Sequence, residues 1–171
     1  MGKRERLRIY RVHDGYIRYM HRIDHRVQYN KNERRPYVGV VLEIEGHKYF
    51  VPMESPKPNH QNIKNSIHIM RLDGGKYGLL GFNNMIPAKE QNLIAFDIEN
   101  EPDAAYRQLL INQIVFCNNH RDEIYEHARK TYEAVTVKKS AFHIKICCDF
   151  KKLENEYVKY KYKTRIQQLH N

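Results

Sequence analysis

Tyr37-Val38-Gly39-Val40-Val41-Leu42-Glu43-Ile44-Glu45-Gly46-His47-Lys48-Tyr49-Phe50-Val51-Pro52-Met53 reads as two β-strands joined by a tight turn. Two apolar, β-branched and aromatic runs flank a turn of two residues, one of them glycine, which is a hairpin signal. The same pattern continues outward in both directions. Leu7 to Val12 is a short strand, and Asp14 can cap a brief amphipathic helix through Ile17, Met20 and Ile23. Residues 25–36 are polar, basic and irregular, and read as a loop. Beyond the hairpin, Ser66 to Leu72 and Lys76 to Phe82 are strands around an Asp73-Gly74-Gly75 turn, and Met85-Ile86-Pro87 is an edge piece. Gly78 and Gly81, like Gly74-Gly75, read as hairpin chemistry rather than as a nucleotide cradle.

The second half is helical. Asn100 or Glu101 with Pro102 opens a helix that gathers Tyr106, Leu109, Leu110, Ile114 and Cys117 on one face. A second helix buries Ile124, Tyr125, Ala128, Tyr132 and Val135, and Asp149 caps a last one along Leu153, Tyr157 and Tyr160. Strands first and helices later predict an α+β fold, with helices packed on a curved antiparallel sheet or small barrel. At 171 residues, without repeats or a linker, the chain forms one domain over 1–171.

Charge narrows the partner. Thirty Lys and Arg against twenty Asp and Glu give a formal net charge of +10, which suits a polyanion. No apolar run is long enough for a membrane span, and the charged start is not followed by an apolar signal core. Cys117, Cys147 and Cys148 suit neither a disulfide framework nor a zinc site, so a reducing cytoplasm is the expected compartment. The ten histidines show no metal-ligand spacing, so neither a metal nor another cofactor is expected.

The segment Met53-Glu54-Ser55-Pro56-Lys57-Pro58-Asn59-His60 leaves a strand abruptly and carries a carboxylate, a hydroxyl, an ammonium and an imidazole. It could be a polar connector whose Ser55 satisfies its own turn. It could also cut RNA without metal, which requires proton removal from the 2′-OH, proton delivery to the 5′-oxygen and stabilised phosphoryl charge. Glu54 or His60 could move protons, Ser55 could orient phosphate or the 2′-OH, and Lys57 could stabilise charge. Arg26, Tyr29, Arg34 and Arg35 in the preceding loop offer phosphate contacts. Lys152 and the tail lysines Lys159, Lys161 and Lys163, interleaved with tyrosines, could follow an RNA backbone; alternatively the tyrosines enter the core and the lysines are solvated. A non-catalytic RNA-binding protein using the same basic face is the alternative function.

Gly39 to Tyr49 followed by Ser55-Pro56-Lys57 resembles the ToxN/AbiQ family of type III toxin–antitoxin endoribonucleases, including its CptN branch. Weaker agreement runs through Leu79 to Pro87, the Tyr106 helix and Cys148-Asp149-Phe150, covering about Ile9 to Tyr160. The resemblance implies a partly open antiparallel barrel similar to the MazF/Kid toxins, with added helices. It implies metal-independent cleavage to a 2′,3′-cyclic phosphate and a 5′-hydroxyl in a bacterial cytoplasm, with a role in phage defence. It also implies a repeated pseudoknot RNA antitoxin that occupies the basic groove and closes with the toxin into a cyclic assembly. Ser55 and Lys57 correspond to the family serine and lysine, and Tyr29 to a loop tyrosine, the loop being longer here. Two positions depart from the family: Arg35 replaces a loop lysine, and Glu54 stands where better-known members have threonine before the serine.

Overall fold

The computed structural model describes residues 5–161, so Lys163 and the rest of the tail fall outside the described residues. Seven strands form one antiparallel sheet: β1 Arg8–Val12, β2 Tyr37–Ile44, β3 His47–Glu54, β4 Ile69–Arg71, β5 Leu79–Gly81, β6 Ile86–Pro87 and β7 Leu93–Ala95. Their order is β4-β5-β3-β2-β1-β7, with β6 also paired to β3, and the sheet does not close on itself. Among the described residues five α-helices accompany the sheet: α1 Asp14–Ile23, α2 Ala104–Asn119, α3 Arg121–Thr136, α4 Ala141–Ile146 and α5 Phe150–Tyr157.

The hairpin β2–β3 is the backbone of the sheet. Both turn residues, Glu45 and Gly46, have positive φ (50° and 80°). That pairing of signs fits a type I′ turn, whose twist matches the flanking strands. Register runs from Ile44 opposite His47 to Leu42 opposite Tyr49, then jumps so that Gly39 faces Phe50. The residues skipped, Val40 and Val41, form a bulge that bends β2, and Val41 is buried. A Cβ on Gly39 would stand 2.3 Å from the Phe50 ring, so this ring packs directly on the backbone.

Strand β3 has three strand partners. Along one side it pairs with β2; along the other its beginning pairs with β6 and its end with β5. The side chains of Tyr49, Phe50, Val51 and Met53 are all buried. Helix α3 packs on β2, and α5 on α1, α3 and β6. Inside that layer the Glu154 carboxylate accepts from the hydroxyls of Tyr49 (2.5 Å) and Tyr132 (2.7 Å). These bonds offset the cost of burying a polar group.

Several expected boundaries shift. Asp14 lies inside the first turn of α1 and pairs with Arg18, while His13 precedes the helix without capping it through its side chain. Helix α2 is capped by Asp103, whose carboxylate accepts the Tyr106 N–H, not by Asn100 or Glu101. Asp149 does cap α5, accepting the Lys152 N–H at 3.2 Å, worth about 1 kcal/mol. The strands expected over 66–72 and 76–82 contract to three residues each, because glycine-rich turns and side-chain bonds take up their ends. Strand β7 and helix α4 carry no periodic apolar pattern: α4 buries no residue, and β7 is only partly covered. No helix among the described residues is long and apolar enough to cross a membrane.

Candidate active site

Glu54 ends β3, and the chain then turns sharply through Ser55-Pro56-Lys57 into a 3-10 turn at Pro58–Gln61. The prolines explain the change: neither donates a ladder hydrogen bond, and each restrains the residue before it. Ser55 and Lys57 are exposed, Glu54 is partly exposed, and His60 is buried. The turn folds His60 back beneath Glu54. Its Nδ1 accepts the Lys57 backbone N–H at 3.3 Å, and its Nε2 lies 3.6 Å from Glu54 Oε2. Because Nδ1 is the acceptor, the neutral ring carries its proton on Nε2, facing the carboxylate. Lys57 Nζ stands 3.7 Å from the same oxygen. One carboxylate therefore sits between a buried imidazole and a solvent-facing ammonium.

Strand β5 builds the wall behind this segment. Glu54 pairs with Leu79, and Gly78, at φ +95°, comes so close that a Cβ there would stand 1.8 Å from the Glu54 carbonyl oxygen. The turn glycines do serve a hairpin, as the sequence suggests, but Gly78 also fits the backbone of the site.

The basic loop reaches the site from β2. Pro36 accepts the Met53 N–H at 3.0 Å, which holds the loop's end beside the end of β3. Arg35 is buried and donates from Nε to the Tyr29 carbonyl at 2.8 Å. Tyr29 is 74% exposed, with its ring against His21 at 4.6 Å between centroids. Between them, Lys31, Asn32 and Glu33 have φ of 49°, 56° and 64°, a left-handed turn without glycine. Lys31 opens this turn and is exposed. Its ammonium is shifted below the usual lysine range by partial burial and by the neighbouring cations Arg35 and Lys57, with Glu54 opposing.

The remaining basic candidates lie elsewhere or are engaged. The Arg26 guanidinium binds Asp24 at 2.9 and 3.1 Å and the Ile144 carbonyl at 2.6 Å, tying the loop to α4. Arg34 is exposed next to the left-handed turn. Lys152, Lys159 and Lys161 are exposed on α5 and just beyond it, and Lys159 pairs with Glu156 at 3.1 Å. Of the tail tyrosines, Tyr157 is buried and Tyr160 packs on Tyr16 and Tyr19.

One group with metal-ligand chemistry, Glu45, His47 and Glu154, lies at the opposite end of the hairpin. Lys151 Nζ stands 3.5 Å from Glu154 and 3.8 Å from Glu45, placing an ammonium among those carboxylates.

Residues 8–159 match the ToxN toxin family of type III toxin–antitoxin systems. Endoribonuclease ToxN of Bacillus thuringiensis subsp. kurstaki is 34% identical over 170 residues, spanning 94% of this chain and 88% of its own length. A solved bacterial type III toxin, selectively inhibited by a non-coding RNA pseudoknot, superposes with a TM-score of 0.81 at 33% identity, covering 93% of this chain and 100% of that one. AbiQ, a lactococcal anti-phage endoribonuclease of the same system type, superposes with a TM-score of 0.82 at 28% identity, covering 91% and 98%. The exposed Ser-Pro-Lys turn at the end of the hairpin therefore stands in a fold shared along nearly its whole length, and the chain belongs to the ToxN family of type III toxin–antitoxin toxins.

Proposed function

We propose that this chain is a bacterial cytoplasmic toxin that cuts RNA without a metal, by attack of a ribose 2′-OH on the adjacent phosphate. The products are a 2′,3′-cyclic phosphate and a 5′-hydroxyl. The observation that carries the reading is the Glu54 carboxylate, held 3.6 Å from His60 and 3.7 Å from Lys57 beside the exposed Ser55. Glu54 takes the 2′-OH proton, and an ionised carboxylate is an acceptor suited to that task. Lys57 meets charge growing on the phosphoryl oxygens, and the Ser55 hydroxyl orients the phosphate. His60 is too buried to touch RNA; it is a positioning residue that fixes the Glu54 rotamer. Arg35 orders the loop that presents Tyr29.

The net charge of +10 favours association with RNA at any sequence. A repeated pseudoknot RNA occupying the same groove, in a closed toxin–RNA assembly, would inhibit by occlusion. Direct competition for the site requires no second conformation.

The test is cleavage of RNA in EDTA by the wild type and by Ser55→Ala, with analysis of the new ends. Cyclic-phosphate and 5′-hydroxyl termini that disappear with the substitution are expected. Full activity in Ser55→Ala would overturn the assignment. Tight binding of RNA that stays intact with the wild type would make the chain a binding protein instead.

A further inference from the structure

Where β3, β5 and β4 lie side by side, the register separates a core row from a row on the other face. Met53, Leu80 and Met70 stand opposite one another, and all three are buried in the core. The next row is Glu54, Leu79 and Arg71. Successive residues of a strand point to opposite faces, and residues directly opposite share one. Glu54 and Arg71 therefore project from the same face, two strand spacings apart, which is about 10 Å.

The 3-10 turn at Pro58–Gln61 comes back to β4. Arg71 Nη1 donates to the Gln61 carbonyl at 2.8 Å, at the surface. The turn between β4 and β5 meets the same segment: a Cβ on Gly75 would stand 2.9 Å from the His60 carbonyl oxygen. The arginine is thus fixed to the segment that begins with Ser55 and Lys57, at its far end. What it lacks is an acid. Arg18, Arg26 and Arg129 each pair with a carboxylate. No carboxylate among the described residues pairs with Arg71. Its one side-chain bond goes to a neutral carbonyl, and its Nε is buried without a partner. A guanidinium held in one place with its charge unneutralised suits an anion.

We infer that Arg71 binds a phosphate of the RNA that flanks the scissile one, so that the substrate lies across the ends of β3, β5 and β4. The inference rests on the endoribonuclease reading above. The guanidinium fork matches phosphate oxygens, and the bond to Gln61 holds it in register with Ser55 and Lys57. Glu54 puts a negative charge beside the bound RNA, and a cation about 10 Å away on the same face offsets it. Arg71 touches no reacting atom: it acts on binding and alignment, not on proton transfer.

The experiment uses the full chain and a short oligoribonucleotide spanning a cleavage site mapped with the wild type. Each phosphate near the scissile bond is replaced in turn by a neutral methylphosphonate. The sugar on its 5′ side is made 2′-deoxy to keep that linkage stable, and the phosphate with the same deoxy sugar is the control. With the wild type, neutralising one particular flanking phosphate is expected to raise KM about 5- to 50-fold. Arg71→Met is expected to raise KM by a similar factor on the control, with kcat little changed. It should lose nothing further when that same phosphate is neutralised, while still losing affinity at others. The slope of log KM against log salt should shrink by about 0.7, the share of one phosphate contact on a single strand. Arg71→Lys keeps that slope and part of the affinity, and it reads the same phosphate should Arg71→Met fail to fold. Losses that add at every phosphate, or a KM that neither substitution moves, would overturn the assignment. A fall in kcat alone would do so too, leaving Arg71 as a brace for the Gln61 turn. Failure of the wild type to cut RNA would instead remove the reading on which the inference rests.

Discussion

Gly78 leaves no room for a side chain against Glu54: a Cβ there would overlap the Glu54 carbonyl oxygen at 1.8 Å. The contact couples the β5 backbone directly to the residue that carries the proposed base. Gly78→Ala adds a steric overlap and a side chain at φ +95°, so β3 and β5 must separate where the site begins. The expected result is a destabilisation of at least about 2 kcal/mol in urea melts, with RNA cleavage lost in whatever folds. A variant with wild-type stability and activity would show that this backbone contact does not shape the site.

The role proposed for Glu54 gives its removal a particular signature. Glu54→Gln preserves the shape, removes the proton acceptor and takes away a charge that repels RNA. Turnover should fall by roughly 10²- to 10⁴-fold while RNA binding stays equal or tightens. Single-turnover rates and filter binding at one stated salt concentration separate the two effects. An unchanged single-turnover rate would place the base elsewhere.

Asp24 is a structural carboxylate. Burial works against its charge, but hydrogen bonds from Arg26 and the Asp149 N–H outweigh that cost and hold its carboxyl below the usual aspartate range. A depressed folded-state pKa gives stability that is present above the unfolded value and lost as pH falls through the folded one. Asp24→Asn should therefore cost roughly 1–3 kcal/mol near neutral pH, and the gap from the wild type should narrow in acid. Chemical denaturation across that range checks the sign. A gap that widens as pH falls would contradict the assignment.

The hairpin was legible because its signals agree: two β-branched and aromatic runs, nearly continuously buried, meet across a two-residue turn. The Ser-Pro-Lys turn was legible for a related reason, since proline ends a strand wherever it occurs. Glu54 and His60 read only as alternative proton carriers; the 3-10 turn that brings them together shows in the structure alone. The rest depends on long-range placement. Arg26 reads as a free cation until Asp24 and Ile144 hold it. Helix α4 leaves no trace in hydrophobic periodicity because it buries nothing.

The Tyr49 hydroxyl finds its acceptor on Glu154, 105 residues further along the chain. The ribosome makes the hairpin early and α5 late, yet Phe150, Leu153 and Tyr157 belong to the same core as β3. During synthesis the Ser-Pro-Lys turn would thus emerge on a sheet that still lacks one of its layers. A toxin built in this order stays unfinished until α5 docks, so nearly the whole chain must be made before the Ser-Pro-Lys turn rests on its complete support.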